Sequence, residues 1–189
     1  EQGLHCGFVS NGLATPEVLD FLRPYVDLYK VDLKSFQDAE YRRLGGRLNI
    51  VLDTIQRLHA MGFWVEVVTL IVPGFNDTPE ELRSIATFLA GVSRDIPWHV
   101  TAFHPAYNML TPPPTTPDAL TRAWDAGKTA GLRHVYTGNT PGKTEGREDT
   151  WCPECNTRLI ARHGFTVLEN RLQDDHCPNC NAAIAGVWY

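Results

Sequence analysis

The residues best placed to do chemistry lie near the end of the chain. Four of the five cysteines form two Cys-x-x-Cys pairs, Cys152-Pro153-Glu154-Cys155 and Cys177-Pro178-Asn179-Cys180, with 21 residues between them. Paired knuckles at this separation read as a four-thiolate metal site. A two-residue spacer turns both sulfurs of a pair toward one ion, and two such turns complete a tetrahedron. Each pair is followed by an asparagine, Asn156 or Asn181. Asparagine tolerates the left-handed backbone that closes such a turn. Structural Zn2+ is the first reading, with iron and disulfides as the alternatives. His176 is a further candidate ligand that four thiolates make unnecessary.

Something must hold the two knuckles together. Between them lie two short apolar runs, Leu159-Ile160 and Phe165 to Leu168, broken at Arg162-His163-Gly164. This is the pattern of a β-hairpin, so residues 146–189 read as a small zinc-ribbon-like module. Residues 1–145 read as a larger α/β unit. The 189 residues suit one domain plus such a module. Net charge is −5 with no basic run, which argues against a nucleic-acid surface. No apolar run approaches the ~18 residues a membrane span needs. Thiols arranged for metal, with no secretory leader, point to a reducing cytoplasm.

The larger unit alternates strand and helix. Phe8-Val9-Ser10, Leu28–Leu33, Phe63–Val72, Trp98–Phe103 and His134–Thr137 are strand-like. Thr-Pro-acid starts recur at Thr15, Thr78 and Thr116. There threonine caps a helix, proline takes its first position, and the acid suits the positive end of the dipole. Glu81 completes a capping box with Thr78. Leu48, Val51, Leu52, Ile55 and Leu58 recur at helical spacing, with Gly62 as the stop. Gly91 is read as the stop of the next helix, and Gly131 of the last. Unbroken alternation implies a parallel sheet, either part of a β/α barrel or an open doubly wound sheet. With no GxGxxG or Walker loop, dinucleotide and P-loop readings have no support.

Buried parallel strands are normally apolar on both faces. Here Lys30, Asp32 and Lys34 share one side of the second strand, and Glu66 interrupts the third. Ser10, Asn11 and His104 end their strands. Polar groups gathered at the carboxyl ends of successive strands mark a ligand site in α/β folds.

At these residues the sequence resembles a family. Ser10-Asn11-Gly12, Val31-Asp32-Leu33-Lys34, the run Leu70 to Asp77 and Phe103-His104-Pro105 occur in this order in radical SAM enzymes similar to the pyruvate formate-lyase activating enzyme. Pro97-Trp98-His99-Val100, Tyr136 to Gly142 and the tail ending Gly186-Val187-Trp188 extend the resemblance to radical SAM enzymes of the AmmeMemoRadiSam system. The resemblance implies a partial, TIM-like β/α barrel that binds S-adenosylmethionine against a [4Fe-4S] cluster. It also implies a flavodoxin- or ferredoxin-type reductant and hydrogen abstraction from an unknown protein or small-molecule substrate, by analogy a glycyl-radical target. Carried over, Ser10, Asn11, Asp32, Lys34 and His104 would hold the ribose and methionine parts, and Pro73 and Gly74 the adenine region.

One departure limits this. The family's CxxxCxxC motif and its GGEP-type segment are absent, and Cys6 stands alone. Cys6 is therefore read as a buried apolar residue. A chain opening at Glu1 and entering a strand almost at once reads as the C-terminal part of a longer enzyme, its N-terminal barrel strands missing, with no catalytic residue of its own. The alternative is a non-catalytic zinc-ribbon protein whose α/β domain binds a nucleotide or a partner.

Overall fold

The computed structural model describes residues 3–188. Five strands, β1 (Gly7–Ser10), β2 (Leu28–Asp32), β3 (Trp64–Ile71), β4 (Trp98–Ala102) and β5 (Val135–Gly138), form one parallel sheet in sequence order. Leu28 pairs with Trp64, Val67 with Trp98, and His99 with Tyr136. A doubly wound sheet reverses its strand order at a switch point. No reversal occurs here, so the β/α-barrel alternative holds.

Side chains alternate along each strand, and the two faces differ in kind. Tyr29, Val31, Val65, Val67, Ile71, Trp98 and Val100 are buried in one apolar core. That core includes Leu19 of α1 (Pro16–Leu22), Ile55 and Leu58 of α3 (Leu48–Ala60), Ile85 and Leu89 of α4 (Pro79–Val92), and Leu120 of α5 (Pro117–Ala130). Lys30, Asp32, Glu66, His99, Thr101 and Tyr136 occupy the other face and are only half-buried.

Local chemistry explains the helix starts. The hydroxyls of Thr15, Thr78 and Thr116 accept from the backbone N–H of Val18, Glu81 and Ala119 at 3.5, 3.3 and 3.2 Å. Gly131 ends α5 with φ +96°. Two glycines permit close packing. A Cβ at Gly12, where φ is +75°, would meet Val31 at 2.8 Å, and one at Gly127 would meet Val135 at 2.8 Å and Trp98 at 2.9 Å.

Two local expectations fail, and one element was not foreseen. Gly91 does not stop α4, which runs to Val92 and is capped by Ser93. Packing against the sheet carries the helix through one glycine. Glu81 does not close a capping box. Its carboxylate is buried and accepts from the Ser35 hydroxyl at 2.6 Å, the Phe36 N–H and Gln37 Nε2 at 2.9 Å. A short helix, α2 (Asp38–Arg43), falls where no periodicity announced one.

The tail is an antiparallel sheet of β6 (Thr150–Trp151), β7 (Arg158–His163) and β8 (Thr166–Asn170). The hairpin turns at Gly164, with φ +59°, the last residue of the break in the apolar pattern. Its inner cluster is small: Cys152, Leu159, Ile160, Cys177 and Ile184. The Glu148 carboxylate ties tail to sheet segment by accepting from Gly142 and Gly164 N–H, both at 2.7 Å. Thr137 N–H donates to the Arg147 carbonyl at 3.0 Å. No helix among the described residues is long and apolar enough to cross a membrane.

Candidate functional site

The four tail sulfurs converge. All four Sγ atoms lie within 4.8 Å of one another, with Cys152–Cys180 and Cys155–Cys177 at 3.6 Å. Thiolates 2.3 Å from a tetrahedral ion stand about 3.8 Å apart. A disulfide needs about 2.05 Å, and all four cysteines are free thiols. Asn156 and Asn181 adopt φ +57° and +60°, and their N–H groups close each knuckle on the carbonyls of Cys152 and Cys177 at 3.0 and 2.9 Å. His176 is outside the ligand group and pairs with Asp175. This donor set can bind one metal ion.

The strand ends hold the residues read from sequence. Lys34 Nζ donates to Asp32 Oδ2 at 2.8 Å, and both side chains are partly exposed. The backbone of Lys34 is held on both sides. Its N–H donates to the Tyr41 hydroxyl of α2 at 2.9 Å, and its carbonyl accepts from Asn76 Nδ2 at 2.8 Å. Asn76 is fully buried. It also donates to the Leu70 carbonyl and accepts from Val72 N–H, each at 2.8 Å. Burial pushes the Tyr41 phenol up to about 12, so it stays a neutral partner. Ser10 and Asn11 close their own turn by accepting from Gly12 and Leu13 N–H, both at 3.1 Å. Gly74 has φ +75°, and its N–H is occupied by Asp77 Oδ1 at 2.8 Å. His104 Nε2 lies 3.2 Å from the Asn139 carbonyl. Pro73 precedes Gly74 in the same turn.

A groove of about 720 Å³ runs along the open face between the sheet and the tail. Lys30, Glu66, His99 and Tyr136 line it from the sheet, and Arg162 and Trp188 from the tail. None of the seven strand-end residues lines it; His104 reaches its rim through Asn139. Inside, Glu66 accepts from the Trp64 indole at 3.1 Å and lies 3.0 Å from His99 Nε2. His99 stacks on Tyr136 with ring centroids 5.2 Å apart, and the Tyr136 hydroxyl is 3.2 Å from that of Thr150. Burial would raise the Glu66 pKa. The hydrogen bond and charge of His99, the Trp64 N–H and Lys30 outweigh burial and hold this carboxyl below its ordinary value. Burial pushes the Tyr136 phenol up.

Sequence reading missed Tyr41, Asn76 and the His99–Tyr136 pair. Glu66 amid valines and Lys30 on the second strand were the signals that pointed here. Cys6 corrects an expectation. It is exposed, because it precedes β1 at the open edge, and its backbone there bonds to Asp27. It sits at the opposite end of β1 from Ser10, about 13 Å away at strand rise. Among the described residues the sheet segment has no other cysteine, so these residues do not make a three-thiolate cluster site.

Comparisons with known proteins agree with this geometry. Residues 1–89 match the model of the Radical SAM superfamily. An uncharacterized protein of Methanocaldococcus jannaschii is 34% identical over 187 residues, 97% of this chain and 55% of that protein. The isethionate sulfite-lyase activating enzyme of Oleidesulfovibrio alaskensis is 28% identical over 102 residues, 51% of this chain and 33% of that enzyme. The chain thus spans about half or less of these curated relatives. A crystal structure of a domain of pyruvate-formate lyase-activating enzyme from Bacteroides vulgatus matches with TM-score 0.63 at 21% identity, covering 73% of this chain and 83% of that one. At that identity the likeness speaks for the fold. The parallel sheet, its polar strand ends and the match over residues 1–89 agree: this chain is similar to the radical SAM superfamily.

Proposed function

We propose that this chain contributes the S-adenosylmethionine-holding strand ends and the substrate groove of a radical SAM enzyme of the AmmeMemoRadiSam type, with a structural Zn2+ in its tail. The observation that carries this reading is the doubly held backbone of Lys34. Tyr41 and Asn76 fix a cation beside Asp32 at the carboxyl edge of the sheet, where α/β folds take ligands. In this reading Lys34 holds the methionine carboxylate, Asp32 the ribose hydroxyls, and Ser10, Asn11 and His104 the remaining polar edges. The Pro73-Gly74 turn supports the adenine by contact, since the Gly74 N–H is already engaged. Bound S-adenosylmethionine supplies a sulfonium whose reductive cleavage yields a hydrogen-abstracting radical. The residues described do not furnish the cluster's thiolates. Lys30, Glu66 and His99 would orient substrate, with Glu66 accepting its hydrogen-bond donors. A glycyl-radical protein target and a flavodoxin-like reductant belong to the same reading by analogy.

Titration calorimetry with S-adenosylmethionine tests it. Binding should be saturable, and Lys34→Met should weaken it by about tenfold or more, the loss expected for one charge-assisted contact. Unchanged affinity in Lys34→Met and Asp32→Asn would remove the strand ends from the cofactor site. The lone, exposed Cys6 favours a second reading, a non-catalytic zinc-ribbon protein with a binding α/β domain. The same titration separates the two. Saturable S-adenosylmethionine binding that Lys34→Met weakens eliminates the second reading, and no binding in a chain that still takes up zinc favours it.

A further inference from the structure

A second cleft, of about 280 Å³, lies between α5, β5 and the tail. Its residues belong neither to the strand-end row nor to the thiolate site, and it does not depend on the radical SAM reading. Trp124 and Trp151 form part of its walls. Both indole N–H groups turn to backbone carbonyls, Trp124 to Val135 at 2.9 Å and Trp151 to Gly146 at 3.0 Å. Arg147 and Lys128 cover the Trp124 ring, with Cζ 5.2 Å and Nζ 5.9 Å from its centroid.

The charges here are incompletely used. Lys128 donates to the Arg133 carbonyl at 2.9 Å and has no carboxylate partner among the described residues. Arg147 faces one acid, Glu145, at 3.8 Å, and that side chain is 91% exposed. Arg133 is already committed to Asp95 through two contacts, at 2.9 and 3.2 Å. Asp149 is committed to the Arg162 N–H at 2.7 Å and to Arg158 at 3.7 Å.

Two buried nitrogens at the cleft have no partner among the described residues, His134 Nε2 and Arg147 Nε. His134 is 4% exposed. Leaving a buried polar atom without a partner is destabilising, and a bound ligand with matching groups removes that cost. We propose that this cleft binds a small aromatic anion, a carboxylate or phosphate carried on a planar ring. The anion meets Lys128 and Arg147, and the ring meets the indoles. The cleft is at the small end of ligand pockets, which fits a single ring. His134 and Tyr136 line both this cleft and the groove, so the two cavities are neighbours across β5.

The test follows the indole N–H resonances of the full chain during titration with benzoate, phenyl phosphate and inorganic phosphate. A saturable shift of the Trp124 and Trp151 signals with benzoate or phenyl phosphate is expected. The stronger of the two identifies the anion class. Lys128→Met and Arg147→Met should each weaken that binding by about tenfold or more, with unchanged thermal melts confirming that both variants fold. Absence of any saturable shift up to about 10 mM, or affinity retained in both variants, overturns the proposal. Equal binding of inorganic phosphate overturns the aromatic part of it.

Discussion

The sheet segment and the tail are built on different principles. In the first, one apolar core runs from Leu19 to Val135, with Tyr29, Trp98 and Leu120 essentially fully buried. Buried polar side chains well inside it, Asn76, Glu81 and Thr69, have partners. In the tail, the inner cluster has five members, and two of them are cysteines of the thiolate site. β8 is exposed along its whole length. Apolar burial holds the first region, whereas convergent donors must hold the second. All three orphan polar atoms among the described residues belong to His134, Thr140 and Arg147, within or next to the join. The boundary is where neither principle fully applies.

The largest expected effect tests this contrast directly. Chelating the metal proposed for the tail, or Cys152→Ser with Cys177→Ser, should unfold the tail and leave the sheet. Structural zinc sites contribute on the order of 10 kcal/mol or more to the fold they organise. Hydrogen exchange should show lost protection in residues 150–188 alone. Simultaneous loss across α3 and β3 would mean that the two regions are one cooperative unit and that the contrast is wrong.

The next effect probes the join through pH. Burial lowers the His134 pKa to about 4 from an ordinary 6.5. As pH falls below 6.5 the unfolded chain binds this proton first, so stability is complete above that value and is lost between pH 6.5 and 4. The total is on the order of 3 kcal/mol. Urea midpoints measured at pH 7.5 and 5 should differ by this mechanism, and His134→Gln should flatten the difference. An unaltered pH slope in that variant would assign the loss to other groups.

Asn76→Ala sharpens the sheet side. It removes the acceptor of the Val72 N–H and the donors to Lys34 and Leu70. We expect a loss of about 2–3 kcal/mol, with faster exchange at the strand ends and an intact tail. If the tail loosens as well, the contrast weakens. At the small end, Arg57→Ala deletes an exposed ion pair on α3 with Asp53. No measurable change in melting is expected, and a clear drop would show that surface charge matters more to the sheet segment than its core.

Much of the fold could be read from short stretches of chain. Thr15, Thr78 and Thr116 cap helices in the structure as their local sequences predict. The five strands fall within a few residues of their expected positions, and Asn156 and Asn181 take up the left-handed turn. These features depend on atoms three or four residues apart. The site was less legible. Glu81 has a capping partner three residues away, yet its carboxylate binds Ser35 and Gln37. Asn76 sits in a run that looks like a turn, yet it spans to Lys34. Cys6 resembles a core residue by type, yet it lies at an exposed edge.

The sequence by itself determined the alternating β/α order, the two knuckles and the polar strand ends, because spacing and backbone preference act locally. Only the tertiary structure decided which of those polar groups meet. Glu66 and His99 are separated by 33 residues, Ser35 and Glu81 by 46, and Lys34 and Asn76 by 42. Strand register and helix packing bring such groups together, and no short-range preference encodes either. The same reason hid the groove and the second cleft, whose walls come from both the sheet and a tail that meets it through Glu148, Thr137 and Tyr136.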